Sequence, residues 1–217
     1  MSITVFLADD HAVVRDGLRA LLETQPDIRV VGEADNGRDA VRMIEKLHPD
    51  VAIIDIAMPV LNGIEAALRI HDLHISARVL ILSMYSTSEH IASALNAGVK
   101  GYMVKDSAGA ELITAVRAVY AGRLYICEKI PHEVVCRYFR DKTLGEVKSP
   151  LMSLSSRERE ILQLVVEGRS SSEIGALLLL SPKTVETYRS RLMHKLGISD
   201  IPGLVKFAIQ HGLTTPN

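Results

Sequence analysis

Asp55 closes the apolar run Val51-Ala52-Ile53-Ile54 and precedes Ile56-Ala57-Met58-Pro59, which puts one carboxylate at the C-terminal end of a predicted buried strand. Open α/β sheets build their sites at that edge. Asp9 and Asp10 follow a second apolar run, Ile3 to Ala8, so three carboxylates converge if the two strands are neighbours. Two like charges about 4 Å apart repel by about 4 kcal/mol at an effective dielectric of about 20. Such a cluster needs a cation or a proton.

The elements that must position these acids alternate along the first half of the chain. Apolar runs at 3–8, 29–34, 51–55, 79–83 and 101–104 are separated by amphipathic stretches at about 11–24, 37–47, 63–73, 89–96 and 108–121. Strands spaced by helices predict βα units around a parallel sheet. The continuous Val/Ile/Leu content of the third and fourth runs predicts central strands, buried on both faces. The expected fold is α/β: a doubly wound five-stranded parallel sheet followed by a second, all-α domain.

The chain has 217 residues, 47% of them hydrophobic, enough for two modest domains. The start MSITVFLADD lacks a basic leader, and no apolar stretch approaches the ~18 residues of a membrane span, so a cytoplasmic protein is expected. Cys127 and Cys136 are the only cysteines and have no metal-ligand spacing, which reads as reduced thiols on one helical segment. Charge is uneven. Residues 1–150 carry 17 basic against 20 acidic side chains, and residues 151–217 carry 8 against 6.

After Gly122 the alternation stops. A helix from Glu128 to Arg140, with Pro131 in its first turn, precedes the polar stretch 141–150, so the predicted division is 1–121, a linker at 122–150 and a second domain at 151–217. Ser155 and Glu158 have capping-box spacing, and Ile161, Leu162, Val165 and Val166 continue at helical intervals. Ser171 or Ser172 is placed to cap a next helix, Leu180-Ser181-Pro182 turns into a third, and 202–210 forms a fourth. On the third helix Val185, Tyr188, Leu192 and Leu196 share one stripe. Lys183, Glu186, Thr187, Ser190, Arg191 and His194 share the other. A tight turn followed by a helix with a polar, basic outer face is the helix-turn-helix arrangement, sized for the major groove.

Both halves resemble one family. Asp9-Asp10, the DIAMP segment at Asp55, Ser83-Met84 and Tyr102-Met103-Val104-Lys105 resemble the receiver domain of two-component response regulators. LSSREREILQLVVEG at 154–168 and SSSEIGALLLLSPKTVETYRSRLMHKLGI at 170–198 resemble the LuxR-type helix-turn-helix. Together they are similar to the NarL/FixJ class over nearly the whole chain. The resemblance implies a flavodoxin-like strand order 2-1-3-4-5 and a cytoplasmic, bacterial regulator that is not an enzyme. It implies Mg²⁺, a hard cation suited to oxygen ligands, held by Asp9, Asp10, Asp55 and the backbone carbonyl of Ala57. Asp55 would accept a phosphoryl group from a sensor histidine kinase, with Lys105 and Ser83 contacting phosphoryl oxygens and Tyr102 in the switch position. On DNA, Lys183, Thr184, Glu186, Thr187, Ser190, Arg191 and Lys195 are the expected contacts to promoter half-sites, bound as a homodimer when phosphorylated. Arg189 lies near the core stripe, where a structural ion pair competes with a phosphate contact.

Rival classes leave their own marks. A haloacid-dehalogenase-type phosphatase needs a second acid two residues beyond the nucleophile, where this chain has Ala57, and no GxxxxGK phosphate loop is present. The remaining alternative is a DNA-binding regulator whose receiver works by protein contact without phosphorylation; the set Asp9, Asp10, Asp55, Ser83 and Lys105 argues against it.

Overall fold

The computed structural model describes residues 2–144, 150–211 and 213. The chain divides into two compact units, Met1–Leu144 and Gly145–Asn217. In the first, strands β1 (Ile3–Ala8), β2 (Ile28–Ala34), β3 (Val51–Asp55), β4 (Arg78–Ser83), β5 (Gly101–Val104) and β6 (Tyr125–Ile126) form one sheet in the order β2-β1-β3-β4-β5-β6. Every pairing is parallel. The predicted order 2-1-3-4-5 is therefore present, with a sixth strand added on the β5 edge. Sequence pattern gives five because two residues, Tyr125 and Ile126, are too short a segment to show any alternation.

Burial explains the strand order. All five residues of β3 are buried, as are five of the six in β4, so both strands lie inside the sheet with helices on either face. Register then aligns the strand ends: Asp55 pairs with Leu82, and Ser83 pairs with Val104. Helices α1 (Ala12–Glu23), α2 (Gly37–Leu47), α3 (Gly63–Asp72), α4 (Ser88–Asn96) and α5 (Ala108–Tyr120) connect successive strands. The N-terminal residues of three of these helices are capped by side chains: Asn36 on α2, Asn62 on α3 and Thr87 on α4. Gly63 opens α3 against the end of β3, where a Cβ would stand 2.0 Å from the Asp55 carbonyl oxygen. Only glycine admits that approach.

Beyond β6, Glu128–Ile130 form a turn and α6 runs over His132–Leu144. Cys127 is thus buried at the end of a strand, and Cys136 is exposed on α6, rather than both lying on one helix. Pro131 sets this boundary: its ring suits the start of a helix and cannot continue one from upstream. Helix α6 packs on α4, where the Tyr138 hydroxyl donates to Asn96 Oδ1 at 3.0 Å. Of the polar stretch expected at 141–150, residues 145–149 lie outside the described residues.

The second unit contains α7 (Ser156–Val166), α8 (Ser171–Leu178), α9 (Pro182–Leu196) and α10 (Ile201–Gln210), with α7 packed against the other three. Ser155 and Glu158 form the predicted capping box on α7. The cap of α8 is Ser170, one residue before the expected serines, because Glu173 three residues on closes a second reciprocal box. Between α8 and α9 the chain turns through Leu179 in the left-handed region. Gly175 makes this turn possible: a Cβ there would lie 2.7 Å from the Leu180 carbonyl oxygen.

Candidate functional site

The C-terminal edge of the sheet gathers the predicted acids and their cation. Asp9 and Asp55 are buried, Asp10 and His11 are exposed, and ligand atoms of all four lie within 4.8 Å of one another. Lys105 Nζ stands 2.7 Å from Asp9 Oδ2 and 2.8 Å from Asp55 Oδ2. The loop after β1 is tied down locally: the His11 amide donates to Asp9 Oδ1 at 2.9 Å, and Arg15 Nη1 donates to the Asp9 carbonyl at 2.5 Å. His11 Nδ1 lies 2.7 Å from Asp10 Oδ1. His11 and Arg15 were not foreseen; the only sequence signal was their closeness to the acid pair.

The electrostatics are those of a crowded, dry site. Burial pushes the Asp55 carboxyl above the usual carboxylate range; Lys105 and the Ala57 amide oppose the rise, and Asp9 adds to it. Burial works to lower the Lys105 ammonium, yet attraction to Asp55 and Asp9 carries it above its ordinary value. Asp9 Oδ2 is buried and lies 2.7 Å from the one ammonium that Asp55 also contacts. Two buried carboxylates sharing one lysine, beside a third carboxylate, fit a hard divalent cation.

Ser83 is fully buried at the end of β4, and its Oγ accepts from the Tyr85 amide at 3.0 Å. A cleft of about 200 Å³ opens beside it, lined also by Met84, Ser86, Val104, Lys105, Asp106 and Lys129. Tyr102 is fully buried, and its hydroxyl donates to the Tyr85 carbonyl at 2.8 Å. Burial raises the Tyr102 phenol well above its ordinary value, so it acts as a neutral donor. Tyr85 in turn stacks on His90, with ring centroids 4.9 Å apart. Tyr102, the β4–α4 loop and Ser83 thus form one connected unit.

In the second unit, Val185 and Leu192 of α9 are buried and Tyr188 and Leu196 half-buried, while Lys183, Glu186, Thr187, Ser190, Arg191 and His194 are exposed. Ser181 caps the helix through the Thr184 amide, and its hydroxyl is 2.7 Å from Thr184 Oγ1. Glu186 accepts from the Ser171 hydroxyl and pairs with Arg189, whose Nη1 also donates to Ser171 Oγ at 2.9 Å. This links α9 to the start of α8. Lys195 Nζ lies 2.7 Å from Glu158 Oε2, so this cation belongs to the α7–α9 packing. Periodicity identified the outward face but could not show which of its charges are held inside the unit.

A parallel sheet with acids and a lysine at its C-terminal edge, joined to a helix-turn-helix, defines a receiver coupled to a DNA-binding module. The chain matches the response regulator receiver domain over residues 5–117 and the luxR family of bacterial regulatory proteins over residues 152–208. It is 37% identical to the response regulator UvrY of Escherichia coli K12 over 211 residues, covering 97% of this chain and 95% of that one. With the oxygen regulatory protein NreC of Staphylococcus epidermidis it shares 37% identity over 213 residues, 96% and 98% of the two chains. Among solved structures, RcsB from Salmonella enterica serovar Typhimurium, bound to a promoter in the presence of the phosphomimetic beryllofluoride, has 27% identity and a TM-score of 0.61. That match covers 95% of this chain and 98% of RcsB. The protein belongs to the NarL/FixJ family of two-component response regulators, DNA-binding transcription regulators with a receiver and a LuxR-type domain. Among the described residues no helix is long and apolar enough to cross a membrane.

Proposed function

We propose that Asp55 is the phosphoryl acceptor of this regulator and that its phosphorylation controls dimerisation and promoter binding. The observation that carries the reading is the convergence of Asp55, Asp9 and Lys105 Nζ within ion-pair distance at the sheet edge. The Asp55 Oδ oxygen attacks phosphorus of a phosphohistidine on a sensor kinase. An O–P bond forms, the N–P bond breaks, and the imidazole leaves with the bonding electron pair and takes up a proton. Asp9, Asp10, Asp55 and the Ala57 carbonyl would hold Mg²⁺, with His11 at the rim; the cation supplies charge neutralisation for the transferring group. Lys105 surrenders its contact with Asp55 to a phosphoryl oxygen, and Ser83 turns its hydroxyl from the Tyr85 amide to another.

Energetics support a switch. A phosphoryl adds about −1.5 to −2 charge. Charge-assisted bonds contribute about 1.5 to 3 kcal/mol each, so two or three approach the ~5.5 kcal/mol that inverts a 1:99 equilibrium. Withdrawal of Ser83 from the Tyr85 amide loosens the β4–α4 loop that Tyr102 holds, which gives Tyr102 its role in the switch. On DNA, Lys183 and Arg191 take backbone phosphates, and Thr184, Thr187 and Ser190 face the bases, with Glu186 and Arg189 bracing α9. Two helix-turn-helix units joined on half-sites gain avidity of about 10² to 10⁴ over one. Asp55→Asn tests the reading: it should abolish labelling by acetyl phosphate and the accompanying gain in DNA affinity, and label retained at another residue would overturn the assignment.

A further inference from the structure

The sixth strand brings one more segment to the sheet edge where Ser83 and Lys105 lie. Because β6 runs parallel to β5, its C-terminal end lies on the same sheet edge as Lys105. The Cys127 amide extends the pairing by donating to the Tyr102 carbonyl at 3.1 Å. A tight turn follows, closed by the Ile130 amide donating to the Cys127 carbonyl at 3.1 Å. Cys127 and Ile130 are both buried in the core, so the turn is anchored at each side, and Lys129 extends from it into solvent. Lys129 lines the cleft that Ser83 and Lys105 also line. Its only ion-pair partner among the described residues is Asp106, at 4.0 Å, and both side chains are more than half exposed.

We propose that Lys129 is a second phosphoryl-binding cation, delivered to the acceptor site by the segment that joins β6 to α6. The inference rests on Asp55 being the acceptor. Asp9 and Asp55 share the half-buried ammonium of Lys105, Asp10 lies beside them, and a phosphoryl group adds further negative charge. An exposed pair at the outer limit of ion-pair distance is weak, and a lysine stem is flexible, so Lys129 exchanges Asp106 for the stronger anion. Ser83, Lys105 and Lys129 all line this one cleft, so a group held by the first two is within the space that Lys129 borders. Anion binding would then draw on the turn that leads directly into α6, so this segment itself registers the state of Asp55.

Beryllofluoride in the presence of Mg²⁺ is the probe, titrated by ¹⁹F NMR into the full-length protein at low salt. Lys129→Ala should weaken apparent affinity about two- to fivefold, the range an exposed charge contact gives, and Lys129→Arg, which keeps the charge, should hold it. Asp106→Ala, which removes the competing carboxylate, should strengthen it. The difference between wild type and Lys129→Ala should shrink at about 0.5 M salt. Wild-type affinity in Lys129→Ala, or equal losses in Lys129→Ala and the charge-keeping Lys129→Arg, overturns the role of Lys129 and leaves the acceptor assignment intact. If wild type responds no better than Asp55→Asn, the acceptor assignment falls and this inference falls with it.

Discussion

Each unit buries a carboxylate against a lysine at nearly the same distance, and the two pairs behave in opposite ways. Asp55 lies 2.8 Å from Lys105, and Glu158 lies 2.7 Å from Lys195. Burial dominates at Asp55, where a second acid shares the lysine, and the carboxyl rises above its ordinary range. At Glu158 burial also works to raise the carboxyl, yet the Lys195 ammonium and the Ser155 amide and hydroxyl hold it below its ordinary value. The receiver pair is under-neutralised and has capacity left for another cation or anion. The helix-turn-helix pair is satisfied and ties α7 to α9.

The comparison breaks first at the main chain beneath Asp55. Gly63→Ala forces a Cβ onto the Asp55 carbonyl oxygen and should cost about 3 kcal/mol or more, the range of severe core overpacking; a denaturant midpoint equal to wild type would show that the strand end yields. Glu158→Ala should destabilise the second unit by about 2 kcal/mol, since it removes half of a capping box and leaves Lys195 without its acid. Faster hydrogen exchange confined to α7 and its neighbours in the intact chain checks this. By contrast Asp55→Asn should leave the receiver at least as stable as wild type near neutral pH, because the charge it removes is one that burial disfavours.

Acid sharpens the same contrast. A Glu158 carboxyl depressed in the fold contributes stability that is complete above its ordinary value of 4.5 and disappears as pH falls through the lower folded value. Exchange protection of α7 should therefore decline on acidification below that value, and Glu158→Gln should flatten the decline. Asp55 has the opposite sign: its raised carboxyl favours the fold in acid, and that contribution is lost as pH rises through the folded value. The smallest effect expected is on DNA. Lys183→Ala and Arg191→Ala should each lower the slope of binding against salt by about one without loss of stability, whereas Lys195→Ala should destabilise the second unit by about 1 kcal/mol or less.

What could be read without coordinates follows from local physics. Apolar runs of four to six residues separated by amphipathic stretches predict a parallel sheet. In such a sheet Asp9, Asp10, Asp55, Ser83 and Lys105 must share one edge, because each ends a strand or directly follows one. The stripe of Val185, Tyr188, Leu192 and Leu196 likewise fixes which side of α9 faces outward, as helical geometry leaves no other choice. Long-range decisions were beyond it. The two residues of β6 carry no pattern of their own and become a strand only because β5 offers an unpaired edge. Nothing local tells that Lys195 meets Glu158, 37 residues away, or that Glu186 and Arg189 meet Ser171, since these partners depend on how helices cross. The sequence by itself determined where the first five strands lie, the capping box on α7 and the outward face of α9, each set by neighbours within a few residues. Only the tertiary structure decided which charges at those places neutralise one another, because that depends on distances between elements far apart in the chain: Asp55 shares Lys105 with Asp9, whereas Glu158 has Lys195 to itself.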